Sequence, residues 1–163
     1  VSNRGIIAGA VLDGTDWKLP AVVQSFGNGA NTVTSATFAV LPTTTCSASM
    51  TNPHPSARLL VMAEYGAWLI GNTTTGDIRA CLSVSGSVSI SAGLGGGTGG
   101  PVGWGEVLYH TALGYQQRKA MCTYELPVSA SAATFDFYAM RNGSGTVKCD
   151  FPTIRLIPLR YLY

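Results

Sequence analysis

The chain has 163 residues, enough for one well-filled core and too short for two. Charged residues make up only 11%, less than half the usual ~25%. The formal charge of +2 is nearly neutral, which argues against a nucleic-acid binder or an anionic-membrane binder.

Helical surfaces are usually covered by Lys, Glu and Arg. The shortage of charge, with 20 glycines and many serines and threonines, therefore points to β structure and to a surface partly covered in an assembly. No stretch approaches the ~20 apolar residues of a membrane-spanning helix. The chain opens on Val1, with Asp13 and Asp16 close behind the first apolar run. This reads as a processed product or a piece of a longer chain, not as a signal peptide.

In chain order, residues 4–12 and 19–26 are short apolar segments separated by Asp13-Gly14-Thr15-Asp16 and Pro20. Residues 1–30 are expected to form an extended entry segment or neck, and residues 31–163 a β-sandwich. Gly27-Asn28-Gly29-Ala30-Asn31 is a turn cluster. Residues 32–41 alternate, which predicts a strand with Ala36, Phe38 and Val40 on one face. Residues 43–51 are β-permissive. Asn52-Pro53-His54-Pro55 predicts a surface turn, because both prolines reject a central strand.

Residues 58–70 form the longest oily run. Leu59, Val61, Ala63, Tyr65, Ala67 and Leu69 keep a period of two, which favours a strand over a buried helix. Residues 72–77 then predict a hairpin-like return. From Ile78 to Ile90 apolar residues or glycine alternate with Arg79, Cys81 and four serines. That is a half-buried strand with a small polar outer face. Residues 93–103 are glycine-rich and predict a long loop. Residues 104–110, 118–126, 134–141 and 146–151 predict further strands, with Phe135, Phe137 and Ala139 on one face. Asn142-Gly143-Ser144-Gly145 is a hairpin signal. Residues 154–163 stay apolar and aromatic to the last position, which implies pairing in a sheet or packing on a neighbouring subunit. The whole reads as an all-β, antiparallel β-sandwich of jelly-roll type.

The chemistry-bearing residues are sparse. Cys46, Cys81, Cys122 and Cys149 are widely separated, without zinc-ligand spacing. Buried or half-buried thiols are favoured, with disulfides the alternative. Only His54 and His110 could serve a catalytic triad, and no nucleophile elbow is present. The eight acids are scattered singly, unlike the opposed pair of a glycosidase. Asp13 and Asp16 lack the rest of a calcium loop. Glu64, inside an oily run, calls for a partner such as Arg58, Arg79 or Arg141. The glycine-rich loop lacks the ending of a phosphate cradle. Asn72-Thr73-Thr74 and Asn142-Gly143-Ser144 match glycosylation sequons. Neither a catalytic residue, a metal site nor a cofactor is expected. The candidate ligand-binding residues are Trp17, Trp104, Tyr115, Gln116 and Gln117. Aromatic faces beside polar loops suit stacking on sugar rings, with amides near to meet hydroxyls. The alternative is that these aromatics seal the ends of the sandwich.

The runs G-A-W-L-I-G (66–71), G-D-I-R-A-C-L-S-V-S-G (76–86), W-G-E-V-L-Y (104–109) and R-N-G-S-G-T-V-K-C-D-F-P-T-I-R-L-I-P-L-R (141–160) resemble the C-terminal receptor-binding heads of tail-fibre or minor tail proteins of tailed phages infecting actinobacteria. The resemblance spans about residues 31–163 and is one of style and order. It implies a homotrimeric β-sandwich head on the virion tail, attached to the rest of the fibre and adhering to a host cell-surface glycan. It supplies no receptor residues to carry over. A structural virion module, such as a decoration or fibre-trimerisation domain, is the first alternative. A trimeric ligand of the C1q or tumour-necrosis-factor type is the second, and an envelope-degrading enzyme the least favoured.

Overall fold

The computed structural model describes residues 18–71, 76–86, 89–90, 108–110, 114–129 and 132–163. Trp17, Trp104, Asp13, Asp16, the glycine-rich loop and the Asn72 sequon lie outside the described residues.

Among the described residues there are eleven strands and no helix. The first sheet contains β1 (Val23–Phe26), β2 (Thr32–Val33), β5 (Arg58–Ile70), β7 (Ser89–Ile90), β9 (Gln116–Leu126) and β11 (Val147–Leu162). The second contains β3 (Ala39–Val40), β4 (Ser47–Met50), β6 (Gly76–Ser85), β8 (Leu108–His110) and β10 (Ala133–Gly143). The first runs β1-β11-β5-β9-β7, with β2 also on β11. The second runs β3-β10-β6-β8, with β4 also on β10. Every pairing is antiparallel. With β1–β2 and β3–β4 each taken as one interrupted strand and short β7 set aside, the orders become 1-8-3-6 and 2-7-4-5. That is the double Greek key of a jelly roll.

The period-two faces build the core. Leu59, Val61, Ala63, Tyr65, Ala67 and Leu69 of β5 are buried, and they face Phe135, Phe137 and Ala139 of β10. Tyr65 meets Phe137 edge-on at 6.3 Å, and Tyr124 meets Phe135 at 5.1 Å. These rings lock the two sheets together.

No strand pairs with its successor in the chain among the described residues. The two expected hairpins are therefore corrected. The turn at 142–145 links β10 in the second sheet to β11 in the first, and the return after residue 70 links β5 in the first to β6 in the second. A turn motif specifies reversal of the chain. It does not specify whether the returning strand bonds to its predecessor or packs across the ~10 Å core.

The alternation over 78–90 likewise breaks at Gly86, where the chain leaves β6 for β7 on the other sheet. Gly86 has φ 93°, and a Cβ there would lie 2.7 Å from the Ala132 carbonyl oxygen. The strand expected over 32–41 is also split between sheets. Ser35 Oγ donates to the Thr37 carbonyl at 2.6 Å and accepts from the Thr37 N–H at 3.2 Å. This local turn competes with the ladder. Ala36 and Val40 consequently end up exposed.

β11 is a central strand, with β1 and β2 on one side and β5 on the other. Ile154 and Leu156 of the apolar C-terminal run are buried in the core, whereas Leu159 and Tyr163 near its end stay exposed. β1 belongs to the same sheet as β11, so the sandwich begins by Val23, inside the segment expected as a neck. No disulfide joins the cysteines. Cys81, opposite in direction to Leu82, is buried and not on an open polar face. Burial pushes the Cys81 and Cys149 thiols well above the ordinary thiol range.

His54 corrects another expectation: it is buried together with Asn52, while Pro53 and Pro55 of the same turn stay exposed. Its Nδ1 accepts the Ser56 and Ala57 N–H groups at 3.1 and 2.9 Å. Its ring packs on Tyr161 at 4.6 Å and Tyr163 at 5.5 Å. Asn52 donates to the carbonyls of Ala57, Leu126 and Pro127. Side chains thus satisfy the turn's backbone, which removes its need for water. His54→Ala leaves two N–H groups without their acceptor, and is expected to cost about 2 kcal/mol in a denaturant titration.

Candidate functional site

The sheet register sets the site. On the outer face of the first sheet, β11, β5 and β9 place residues side by side in rows. Asp150, Trp68 and Gln117 form one row; Thr153, Gly66 and Lys119 the next; Arg155, Glu64 and Met121 the third. β1 adds Phe26 beside Thr153 and Gln24 beside Arg155.

Asp150 organises the end of this face. It is buried, and its Oδ1 accepts the Asn31 N–H at 2.8 Å. Its Oδ2 accepts the Tyr115 hydroxyl at 2.9 Å. Tyr115 immediately precedes β9, and β5 lies between β9 and β11, so the side chain reaches across β5 to Asp150. Donating to the carboxylate raises the Tyr115 pKa above the ordinary phenol value. Asn31 extends the network. Its Oδ1 accepts the Thr43 and Thr44 N–H groups, both at 3.0 Å, and its Nδ2 donates to Thr44 Oγ1 at 2.8 Å. One carboxylate therefore fixes Tyr115 relative to the loops at 27–31 and 43–44.

A bulge follows directly, between Asp150 and Thr153. Phe151 there has φ 50° and is 51% exposed. A bulky residue in the left-handed region costs on the order of 1–3 kcal/mol. Backbone bonds hold it: the Phe151 N–H donates to the Gly29 carbonyl at 3.2 Å, and the Gly27 N–H to the Pro152 carbonyl at 2.8 Å. A bulge re-aims a side chain, and this one turns a benzyl ring to solvent. Tyr115, Trp68 and Phe151 are all exposed at this end, with exposed Gln117 beside Trp68, while Gln116, also exposed, takes the register of inward-facing Leu69.

Below the cluster, a groove of about 500 Å³ crosses the face, lined by Phe26, Glu64, Gln117, Lys119, Met121 and Arg155. Gly66 occupies an outward position of β5, where the Arg118 backbone and the Lys119 side chain close over it. A Cβ there would meet the Arg118 carbonyl oxygen at 2.6 Å. Glu64 lies on this outer face, half exposed, and pairs with Arg155 at 3.4 Å. It is neither inside the core nor partnered by Arg58, Arg79 or Arg141.

Glu125 and Asp77 are engaged as well. Glu125 holds Arg58 at 2.6 Å, while Asp77 holds Arg79 and accepts from Asn142, both at 3.2 Å. His110 is buried, with Nε2 3.3 Å from the Gly114 carbonyl oxygen. His54 lies at the opposite end of the sandwich from Asp150. No group of three or more His, Cys, Asp or Glu able to hold a metal occurs among the described residues.

The structure gathers Tyr115, Gln116 and Gln117 at one end; Trp17 and Trp104 lie outside the described residues. Sequence reasoning missed Asp150, Asn31, Trp68 and Phe151. Trp68 was accessible to it, since it sits out of phase with the inward residues 59–69 of its strand. Comparison with known proteins finds no matching family model, no similar curated protein and no similar solved structure.

Proposed function

We propose that this chain is the host-adhesion head of a tailed-phage tail fibre. In this reading it is a non-catalytic homotrimer on the virion tail that holds a cell-envelope glycan at the Tyr115 end. The observation that carries this is polarity. The Tyr161 hydroxyl donates to the Lys18 carbonyl at 3.0 Å, at the far end of β11 from Asp150. β1 then runs from Val23, opposite Leu156, to Phe26, opposite Thr153, towards the Tyr115 end. A stalk joined ahead of Lys18 would leave Tyr115, Trp68 and Phe151 at the tip.

The chemistry of that tip suits a sugar. Rings stack on the apolar face of a pyranose, while Gln117 beside Trp68 offers both donor and acceptor to hydroxyls. Asp150 pre-orients Tyr115 and so lowers the ordering cost of binding. Such shallow sites are weak singly, and trivalency multiplies them.

The test is calorimetric titration of the domain with purified actinobacterial envelope polysaccharide. Saturable binding is expected, weakened about tenfold in Tyr115→Ala, as for loss of roughly 1.4 kcal/mol. A folded domain that binds no envelope glycan would favour the structural virion module instead.

A further inference from the structure

The outer face of the first sheet carries a surplus of positive charge. Its acids are all engaged: Glu64 by Arg155, Glu125 by Arg58, and Asp150 by the Asn31 N–H and the Tyr115 hydroxyl. Lys119 on β9 and Lys148 and Arg160 on β11 take outward registers beside Gly66, Ile70 and Leu60. None of these three cations has an ion pair among the described residues. The second sheet has the opposite balance. Its Arg79 is held by Asp77, and Asp136 stands between Ser47 and Ser83 with no ion pair among the described residues. The unanswered cations thus share a face with the exposed rings of Trp68 and Phe151.

Lys119 is the one of the three that lines the groove. Its Cγ lies 2.8 Å from where a Cβ on Gly66 would stand. The stem therefore leans from β9 over the glycine, and any side chain at 66 would lift it. One register step towards the Tyr115 end stands Trp68 beside Gln117; one step the other way stands Glu64 beside Arg155. Each step is two residues, about 7 Å, which is the scale of one saccharide residue. Arg155 is half exposed and meets Glu64 through one long contact of 3.4 Å, so its fork keeps donors for a second acceptor. Phe26 and Met121 wall the groove, whose 500 Å³ falls among small-ligand sites.

We infer that this groove holds an acidic substituent of the glycan, a carboxylate or a phosphate, on Lys119 with Arg155 beside it. The inference rests on the adhesion reading and deepens it by naming the ligand class, an anionic saccharide. The ring stacked at Trp68 and the charge on Lys119 are then contacts of one continuous ligand. A neutral saccharide has nothing to offer the ammonium. Glu64 does not repel the anion, because Arg155 already neutralises it, and its carboxylate accepts a sugar hydroxyl. Cations this far apart do not match the closely spaced phosphates of a nucleic acid.

The test is calorimetric titration with the envelope polysaccharide in three forms: untreated, with its carboxylates reduced through carbodiimide, and with its phosphates removed by hydrofluoric acid. The proteins are the wild type, Lys119→Gln and Tyr115→Ala, with circular dichroism to confirm folding. Lys119→Gln keeps a Cγ over Gly66 and removes the charge. The wild type is expected to bind one treated form about tenfold more weakly than the untreated one, and the treatment that acts names the acidic group. Lys119→Gln is expected to lose the same tenfold on the untreated polymer and to match the wild type on the form that lacks the acidic group. Tyr115→Ala is expected to weaken both forms alike. Equal binding of all three forms by the wild type would overturn the acidic subsite and leave the adhesion reading standing. A folded Lys119→Gln that binds the untreated polymer as tightly as the wild type would do the same. A folded wild type that does not bind the untreated polymer would overturn the adhesion reading itself, and the subsite with it.

Discussion

Removal of residues 154–163 is expected to unfold the chain outright. β11 is bonded on both sides, to β1 through Ile154 and Leu156 and to β5 from Ile154 to Leu162. Its loss would strand β1 and open the edge of β5, with the buried Leu59, Val61 and Ala63 behind it. Ile154 and Leu156 are both essentially inaccessible. Truncating either to alanine would cost about 2–5 kcal/mol, and a domain has only about 5–15 kcal/mol in total. The loss of both, with the ladder and the Tyr161 packing on His54, exceeds that reserve. The truncated chain is expected to show no cooperative thermal transition and no dispersed amide spectrum. A soluble, folded truncated chain, monomeric or trimeric, would show that the strand is dispensable and that the register described here is wrong.

The second large effect is expected at Asp150. Asp150→Ala removes the acceptor for a buried backbone N–H at Asn31 and for the Tyr115 hydroxyl. Tyr115 can turn to water, but the Asn31 N–H cannot. The cost expected in a denaturant titration is about 2–4 kcal/mol. Released from its anchor, the Tyr115 side chain regains rotamer freedom, and glycan binding should weaken by about tenfold or more. Asp150→Asn keeps an acceptor for one of the two donors and should fall between wild type and alanine in both measurements. Unchanged stability in Asp150→Ala would mean that the carboxylate does not organise this end.

The strands that form the core were legible because a period of two leaves a trace in any chain with one buried face. Residues 58–70 and 134–141 show it without ambiguity, and their inward residues are the ones buried. What the pattern does not carry is partnership. The same alternation serves a strand beside its predecessor or one across the core, so the turns at 72–77 and 142–145 read as hairpins when they are crossings between sheets. Gly86 shows the complementary failure. A glycine preserved the apparent alternation while its positive φ ended the strand.

The site was only partly legible for a related reason. Tyr115, Gln116 and Gln117 stand out as an aromatic–amide run. Asp150 is a lone acid in the sequence, and its meaning comes from Asn31, 119 residues away, and from Tyr115 on another strand's approach. Long-range hydrogen bonds of this kind have no local signature. His54 was misread likewise, because its cover comes from Tyr161 and Tyr163 at the other end of the chain.

The most direct measurement is binding of the fluorescently labelled domain to intact actinobacterial cells, before and after chemical removal of envelope polysaccharide. Saturable binding that disappears with the polysaccharide and weakens in Tyr115→Ala is the predicted result. Binding that survives polysaccharide removal, or no binding by a folded domain, would contradict the adhesion account.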